Sequence, residues 1–549
     1  MRDFKLKMVE DSSALGESTS LQEHVSLSSS ELTTRERLGM CCKPSFRMRR
    51  FKSKGAILVL IWSYACTSVM WFYLFTRENT LEVKFCIYVV VLGLTLSFAG
   101  WIADVRFGRY RVIFLSMWIM WVGLMLAAVS SVLLGTVNSK IYSYVSGVLW
   151  TMVAVGYGGF QANIIQFGTD QLHYASTNEI TSFLFWFAWT CIGSCFVVYF
   201  ILGYFTKGIV GNLVMCIYLS VALSSMLMFN HWLVKEPVTQ NPFKLVYSVV
   251  RYAIKHKHPE CRSAFTYCED EPPSRMDFGK RKYGGPFTTE QVEDVKTFLR
   301  LVVILPVAVV VIGAVFGSWQ LLNRVMYLLN KTPSCYSNDA FVAFFENCSI
   351  VILPLYEFFF YPVFHRCLEM VKSSWRFLFG ILLLTAELVA TLTIEVIARR
   401  QYLESSNYNT TIPCMVHGTL DLSINFRWIA VPLSVYSLSA CVLGIGLLEF
   451  IVSQTPYSMK GLIMGTSYCM IALCTPVVMG ISVPFTRDLS IWGNGIFSCG
   501  FWYALLLLMI EVLVGITLIA MLRWYKKRKR EDVLPNEHIF AERYYDKDM

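Results

Sequence analysis

The sequence predicts an all-α membrane protein in which twelve helices cross the bilayer as two bundles of six. Three observations predict it. Of 549 residues, 55% are hydrophobic and only 16% are charged, whereas soluble domains carry about a quarter charged residues. Much of the surface therefore faces something other than water. The apolar residues come in blocks, many near the roughly 20 residues that cross a hydrocarbon core of about 30 Å as a helix. Backbone groups inside a bilayer must be satisfied within the segment, so blocks of this length read as helices. Finally, the blocks are grouped as six, a long polar stretch, and six more.

In chain order the predicted spans are 55–75, 84–104, 112–134, 143–165, 181–204 and 211–233, then 299–320, 349–366, 373–396, 427–452, 459–485 and 498–523. The implied domains are a tail at 1–54, a bundle at 55–233, a linker at 234–298, a second bundle at 299–523 and a tail at 524–549. The first 40 residues are polar, and Glu10–Arg37 is rich in Ser, Thr and Glu, which predicts disorder. With no apolar signal core there, the first span is expected to direct insertion. Cys41 and Cys42, next to a basic run, are either acylated or simply unmodified.

The net charge of +10 does not point to nucleic acid. The basic residues lie at Arg47–Lys54, Arg106–Arg111, Lys255–Arg262, Lys280–Lys282 and Lys526–Arg530, beside apolar blocks, as in loops obeying the positive-inside rule. Both termini are therefore expected in the cytosol. Sequons at Asn330, Asn347 and Asn409 then fall in loops facing outside. Those loops also hold Cys335, Cys348 and Cys414, where a disulfide would survive. Asn347 stands close to the eighth span. There is no CxxC pair and no metal or cofactor motif.

Within the linker, Phe243–Lys257 alternates apolar residues with Lys244, Arg251, Lys255 and Lys257, the pattern of an amphipathic helix on a membrane surface. Gly284-Gly285-Pro286 marks a turn. Thr288-x-x-Gln291 is a capping box for a helix that runs into the seventh span.

After the second span comes Gly100-Trp-Ile-Ala-Asp104-Val-Arg106-Phe-Gly108-Arg109-Tyr-Arg111. A tight turn needs Gly, and a carboxylate beside arginines can hold one conformation until another replaces it. This segment resembles the signature loop of the major facilitator superfamily. Three further segments narrow the likeness. They are Gly158-Gly159-Phe160-Gln161-Ala162-Asn163 with Gln166-Phe167-Gly168-Thr169-Asp170-Gln171, then Phe185-Trp186-Phe187-Ala188-Trp189, and Leu448-Glu449-Phe450-Ile451-Val452-Ser453-Gln454-Thr455-Pro456. Together they resemble the proton-dependent oligopeptide transporter family, over roughly residues 55–523.

The resemblance implies a major facilitator fold, a functional monomer and a small-molecule solute carried across a bilayer by alternating access, a peptide or amino-acid derivative among the candidates. It places Tyr157, Gln161 and Asn163 at a central cavity, with Tyr64, Trp186, Trp189 and Trp428 as walls. Lipid-belt or packing roles are the competing reading for these aromatics. Asp104, Arg106, Gly108, Arg109, Glu449, Gln454 and Pro456 become candidates for a conformational gate.

The chain also departs from that family. The Glu-x-x-Glu-Arg of the family's first span is absent, because no Asp, Glu, Lys or Arg lies between Lys54 and Arg77. Gln161 replaces the fourth-span lysine. Ser439–Leu443 lacks the tenth-span glutamate. A buried carboxylate couples transport to protons because its affinity for them shifts as partners come and go, and a zwitterionic peptide needs an opposite charge at each end. Ordinary proton–peptide symport is therefore not expected.

Five acids remain within spans: Glu357, Glu387, Glu395, Glu449 and Glu511. Glu357 is the candidate for a relocated cavity acid. Glu395 is expected as a solvated pair with Arg399 or Arg400, Glu511 as a site or a neutral filler, and His365 as a boundary residue. The leading expectation is a solute transporter of the plasma or endolysosomal membrane. The alternative is a non-transporting sensor or scaffold. Without nucleophile elbow, HExxH or metal cluster, an enzyme is not expected.

Overall fold

The computed structural model describes residues 53–76, 82–133, 139–172, 177–198, 209–238, 241–256, 274–329, 345, 348–361, 373–405, 426–486 and 499–525. The tails, the three sequons, Cys335, Cys414, His365 and the Arg399 side chain lie outside the described residues. Arg50–Pro354 and Ser373–Met549 form one compact unit, and Leu355–Lys372 is grouped with Met1–Arg49 in another. Of the second unit, the described part is the π-helical turn Tyr356–Phe360 with Leu355 and Tyr361, in which Glu357 is buried.

The first six spans are α1 (Lys54–Thr76), α2 (Glu82–Ile102), α3 (Arg109–Leu133), α4 (Ser139–Asp170), α5 (Thr177–Val197) and α6 (Ile209–Met228). A linker helix, α7 (Pro242–Lys255), follows. Then come α8 (Thr289–Leu329), α9 (Ser349–Leu355), α10 (Ser373–Ser405), α11 (Ala430–Gln454), α12 (Lys460–Thr486) and α13 (Cys499–Trp524). Among the described residues, eleven helices are long and apolar enough to cross a membrane. The eighth expected span is described as a shorter apolar helix, Ser349–Phe359. No strand occurs among the described residues, which contain one isolated bridge, Lys280 to Phe287.

Polar atoms inside the first bundle show how its helices are fixed. The buried Trp62 of α1 donates its indole N–H to Ser225 Oγ of α6 at 2.8 Å, and Trp121 of α3 does the same to Ser220 Oγ at 2.8 Å. An indole N–H without water needs such a partner. We call the end of the bundle where α1 starts, α4 ends, α12 starts and α13 ends the basal end.

The linker is ordered by local chemistry. Asn241 caps α7 by accepting from Phe243 N, with Pro242 at the first helical position, where a missing N–H costs nothing. Leu245, Val249 and Ala253, four residues apart, turn inward, while Lys244, Tyr247, Arg251, Ile254 and Lys255 face out. The Thr288–Gln291 box is present in both directions. Gln291 N donates to Thr288 Oγ1 at 3.2 Å, and Thr288 N donates to Gln291 Oε1 at 3.1 Å.

The segment before α8 is held to it by four charges. Asp277 Oδ1 meets Lys280 and Lys296 Nζ at 2.5 Å each, and Glu293 meets them at 2.6 and 3.2 Å. Burial pushes the Asp277 carboxyl up, but hydrogen bonds from Lys280, Lys296 and Ser274 outweigh it and hold the group well below the usual carboxylate range. Burial likewise lowers Lys280, and its bonds to Asp277 and Glu293 raise it beyond that loss.

The signs fix a pH window. The lowered Asp277 stabilises docking above its unfolded value of about 3.9, and that contribution fades as pH falls below it. The raised Lys280 contributes fully below its unfolded value of about 10.4 and loses its contribution as pH rises through the folded one. Amide protection across 274–297, the exchange rate divided out by its intrinsic pH dependence, should thus be greatest between about pH 5 and about pH 9 and fall at both extremes. A profile that follows only the intrinsic base-catalysed rate would refute this docking role.

Candidate functional site

Two sites emerge, one at the basal end and one between helices near mid-span. The basal site begins at the junction of α2 and α3. A π-helical turn, Ala103–Phe107, ends at Gly108, whose φ of 77° is accessible chiefly to glycine. Gly108 N donates to Ala103 O at 3.0 Å, and this wider turn directs Asp104 inward. The Asp104 side chain is 1% exposed.

Asp104 then serves two helices. Arg109 donates to its Oδ1 at 3.4 Å. Its Oδ2 accepts at 2.9 Å from Leu462 N, in the first turn of α12. Such first-turn N–H groups have no intrahelical partner, and the positive end of the helix dipole favours an anion there. A residue of the first bundle thus caps a helix of the second. Asp170, at the end of α4, completes the network. It pairs with Arg109 and, at 2.9 Å, with Lys460 Nζ, and its side chain is 1% exposed. Two carboxylates and two cations balance in charge, which makes a buried cluster of this kind tolerable.

This contact needs glycine. Along α2 and α12 the backbones touch at Gly100 against Gly461 and Gly465, and a Cβ on Gly461 would stand 2.7 Å from Gly100 O. Farther along the same pair, Cys86 Sγ reaches Met479 Sδ at 3.9 Å.

A second basal contact joins the halves through Glu449 of α11, which accepts from Thr181 Oγ1 of α5 at 3.3 Å and pairs with Arg376 of α10. Gln454 and Pro456 are buried where α11 ends and the 3-10 turn Tyr457–Met459 leads into α12. Gln171, next to Asp170, clamps the segment after α6. It donates to Val234 O at 2.9 Å and accepts from Val234 N at 2.8 Å.

Arg106, expected as a gate residue, stands apart from the buried network. That side chain is exposed, because the π-turn sends Asp104 inward and Arg106 away from it. The sequence did not single out Lys460 as a partner. A signal was available: a lysine at a helix N-terminus opposes the dipole and implies a nearby carboxylate.

The mid-span site forms on α1, α4, α5 and α12. Tyr157 and Gln161, one turn apart on α4, share a face. Tyr157 faces Thr67 of α1, Gln161 faces Tyr468 of α12, and Cys191 of α5 faces Ser63 and Thr67. Ser63, Thr67 and Gln161 are buried, at 0%, 4% and 7% exposure. Ser63 Oγ, Thr67 Oγ1 and Gln161 Oε1 have no hydrogen-bond partner of good geometry among the described residues. Tyr64 lies beside Gly193 of α5, and Trp186 stacks edge-on against Trp189 with centroids 5.7 Å apart. These four helices carry charged residues only near their ends, at Lys54, Lys140, Asp170, Glu179 and Lys460.

Two of the residues expected at a cavity stand away from this cluster. The Asn163 Nδ2 donates at 2.9 Å to Gly159 O, one turn back on α4, and at 3.4 Å to Ala99 O of α2. Two positions beyond Gln161 on a helix lie on nearly the opposite face. Trp428 is 64% exposed on the 3-10 turn Phe426–Ile429 that opens α11, which fits an interfacial belt residue rather than a cavity wall. Trp189 spends its indole N–H on Ile350 O of α9, at 2.9 Å.

Eleven apolar helices of spanning length among the described residues, with the shorter Ser349–Phe359, in this order define a multi-pass integral membrane protein of the major facilitator class. The POT family model matches residues 110–490, more than half of the chain, and the protein belongs to the POT family. It is similar to human solute carrier family 15 member 5, with 24% identity over 224 residues; the match spans 38% of each chain. Among solved structures it resembles the POT family transporter PepTSo (16% identity, 86% of this chain and 98% of that one, TM-score 0.57) and an auto-inhibited POT family peptide transporter (15%, 86% and 98%, TM-score 0.56). A POT family transporter in complex with 5-aminolevulinic acid aligns at 11% identity over 87% of this chain and 99% of that one, with a TM-score of 0.51. At these identities the structural likenesses concern the fold.

Proposed function

We propose that this protein carries a small polar solute without a net charged anchor point across a membrane by alternating access, as a functional monomer with both termini in the cytosol. The observation that supports this reading most is the neutral mid-span cluster. Ser63, Thr67 and Gln161 are buried polar side chains beside Cys191, Tyr157 and Tyr468, with no hydrogen bond of good geometry to their oxygens among the described residues, and an under-satisfied buried polar atom costs about 1–3 kcal/mol. A ligand with hydroxyl or amide groups would satisfy them. A dipeptide with two charged ends would find no opposite charge there.

In this mechanism the Asp104–Arg109–Asp170–Lys460 network and the Thr181–Glu449–Arg376 contact close the cytosolic side. Opening that side breaks both, and the solute reaches the cluster from whichever side is open. The test is uptake by the purified protein in liposomes. The panel holds labelled peptides, amino acids, nitrate and neutral metabolites, with and without an inward proton gradient. A neutral solute should be taken up, and dipeptide should not accumulate. For that solute Gln161→Ala should raise KM roughly fivefold, the loss of one hydrogen bond of about 1 kcal/mol. Dipeptide accumulation that collapses with a protonophore would overturn the reading. Binding without flux of any kind would point instead to a solute sensor.

A further inference from the structure

The linker helix α7 has two apolar faces, and the protein uses only one of them. Leu245, Val249 and Ala253 are buried, where α7 packs on α8 and on the 3-10 turn Asp277–Gly279. The opposite face is open, and its residues are sorted by chemistry. With about 100° between successive residues of a helix, Phe243, Ile254 and Tyr247 fall together along one edge. Arg251, Lys244 and Lys255 fall together along the edge beside it. Phe243, Tyr247 and Ile254 are 53%, 63% and 73% exposed, and the three cations are exposed as well. The helix itself contains no acid.

Both edges continue beyond α7. Phe243 lies against Trp101 of α2 with ring centroids 6.4 Å apart, and Trp101 lies against Phe98 at 5.8 Å. Ile87, Leu94 and Phe98 are exposed along the same side of α2. On a spanning helix that side meets hydrocarbon. The lipid-facing stripe of α2 therefore passes through Trp101 onto Phe243 at the basal end. On the other flank, Tyr252 lies beyond the cationic edge and packs on Phe287 with centroids 6.0 Å apart. Phe287 O accepts from Arg281 N at 2.9 Å, and Arg281 and Lys282 are exposed on that turn.

An apolar edge continuous with the hydrocarbon-facing wall, beside a cationic edge, is the arrangement of a helix lying in a membrane interface. We propose that the outer face of α7 binds the anionic headgroups of the leaflet at the basal end. Phe243, Tyr247 and Ile254 enter the boundary of the acyl chains, while Lys244, Arg251 and Lys255 meet the negative headgroups. The stripe Leu245–Val249–Ala253 is taken by the protein, so the membrane contact falls to the opposite face. Neutral lipid satisfies the apolar edge alone. Each Lys or Arg near an anionic surface strengthens attraction about fivefold, so the cations make the contact depend on lipid charge.

The test is hydrogen–deuterium exchange of the full-length protein in nanodiscs of phosphatidylcholine, alone or with about 30 mol% phosphatidylserine. Amides of residues 243–256 should exchange about tenfold more slowly in the anionic discs. The difference should vanish in the triple variant Lys244→Gln/Arg251→Gln/Lys255→Gln. In the wild type it should shrink at about 1 M salt, where the screening length falls to about 3 Å; this arm needs no variant to fold. Ile254→Ser should speed exchange in both lipids and leave their ratio unchanged. Equal exchange in the two lipids, or a difference that the triple variant keeps, would overturn the proposal. So would a loss of protection in the triple variant as large in pure phosphatidylcholine as in the mixture. The cations would then be answering an acidic stretch of protein, such as Glu269–Glu271, rather than lipid. The readout needs no solute, so its failure is separate from failure of the transport reading.

Discussion

Asp170→Asn is expected to open the basal end of the molecule. Asp170 pairs with both Arg109 and Lys460. Neutralising it takes this carboxylate from Lys460 and leaves Arg109 with Asp104 at 3.4 Å. Breaking one side of a buried pair costs about 3–5 kcal/mol, which would shift the closed-to-open ratio by more than roughly 100-fold. Spin labels on the basal ends of α2 and α12 should read a longer distance in the variant, and solute flux should fall at least tenfold.

Asp104→Asn should act in the same direction but less strongly, because the amide oxygen can still accept from Leu462 N. Arg106→Ala should leave the label distance unchanged, since Arg106 is exposed. An equal distance in Asp170→Asn and wild type, with the protein folded, would remove the network from the gate.

Gly461→Val should be nearly as damaging, for a steric rather than an electrostatic reason. Its Cβ would meet Gly100 O at 2.7 Å and Asp104 Oδ1 at 2.8 Å. The first is backbone and the second is a carboxylate already held by Arg109 and Leu462, so neither can yield cheaply. The α2–α12 contact should fail to close, and flux should fall about tenfold or more, because a misplacement of about 1 Å can remove catalytic or transport geometry. Gly444→Ala of α11 is the matched control. Nothing stands within 4 Å of its Cβ, and wild-type flux is expected. Wild-type label distances in Gly461→Val would show that the close backbone approach is dispensable.

The sequence by itself determined the parts that depend on one dimension. Where the chain crosses a bilayer follows from the lengths of its apolar blocks. That these segments are helices follows from the need to satisfy every backbone amide without water. The capping box at Thr288 and Gln291 is a four-residue pattern and needs no distant partner. The loss of charge from the mid-span site is also legible, because α1 holds no acid or base beyond Lys54 at its start.

Only the tertiary structure decided which way each side chain points and what it meets. Gln161 and Asn163 stand two positions apart in the same motif, yet helical rotation sends one to the mid-span cluster and the other to the α2 backbone. Arg106 and Arg109 flank the same turn, and the π-helical geometry buries only the second. Asp170 and Lys460 are 290 residues apart, so no local pattern links them. They meet because glycines let α2 and α12 approach. Glu387 and Glu511 were visible as isolated acids, and their burial and hydroxyl partners came from the packing of α8, α10 and α13. Hydropathy fixes depth along the membrane normal, while azimuth and partnership are set by helix–helix contacts, which are contributed jointly by residues remote in the chain.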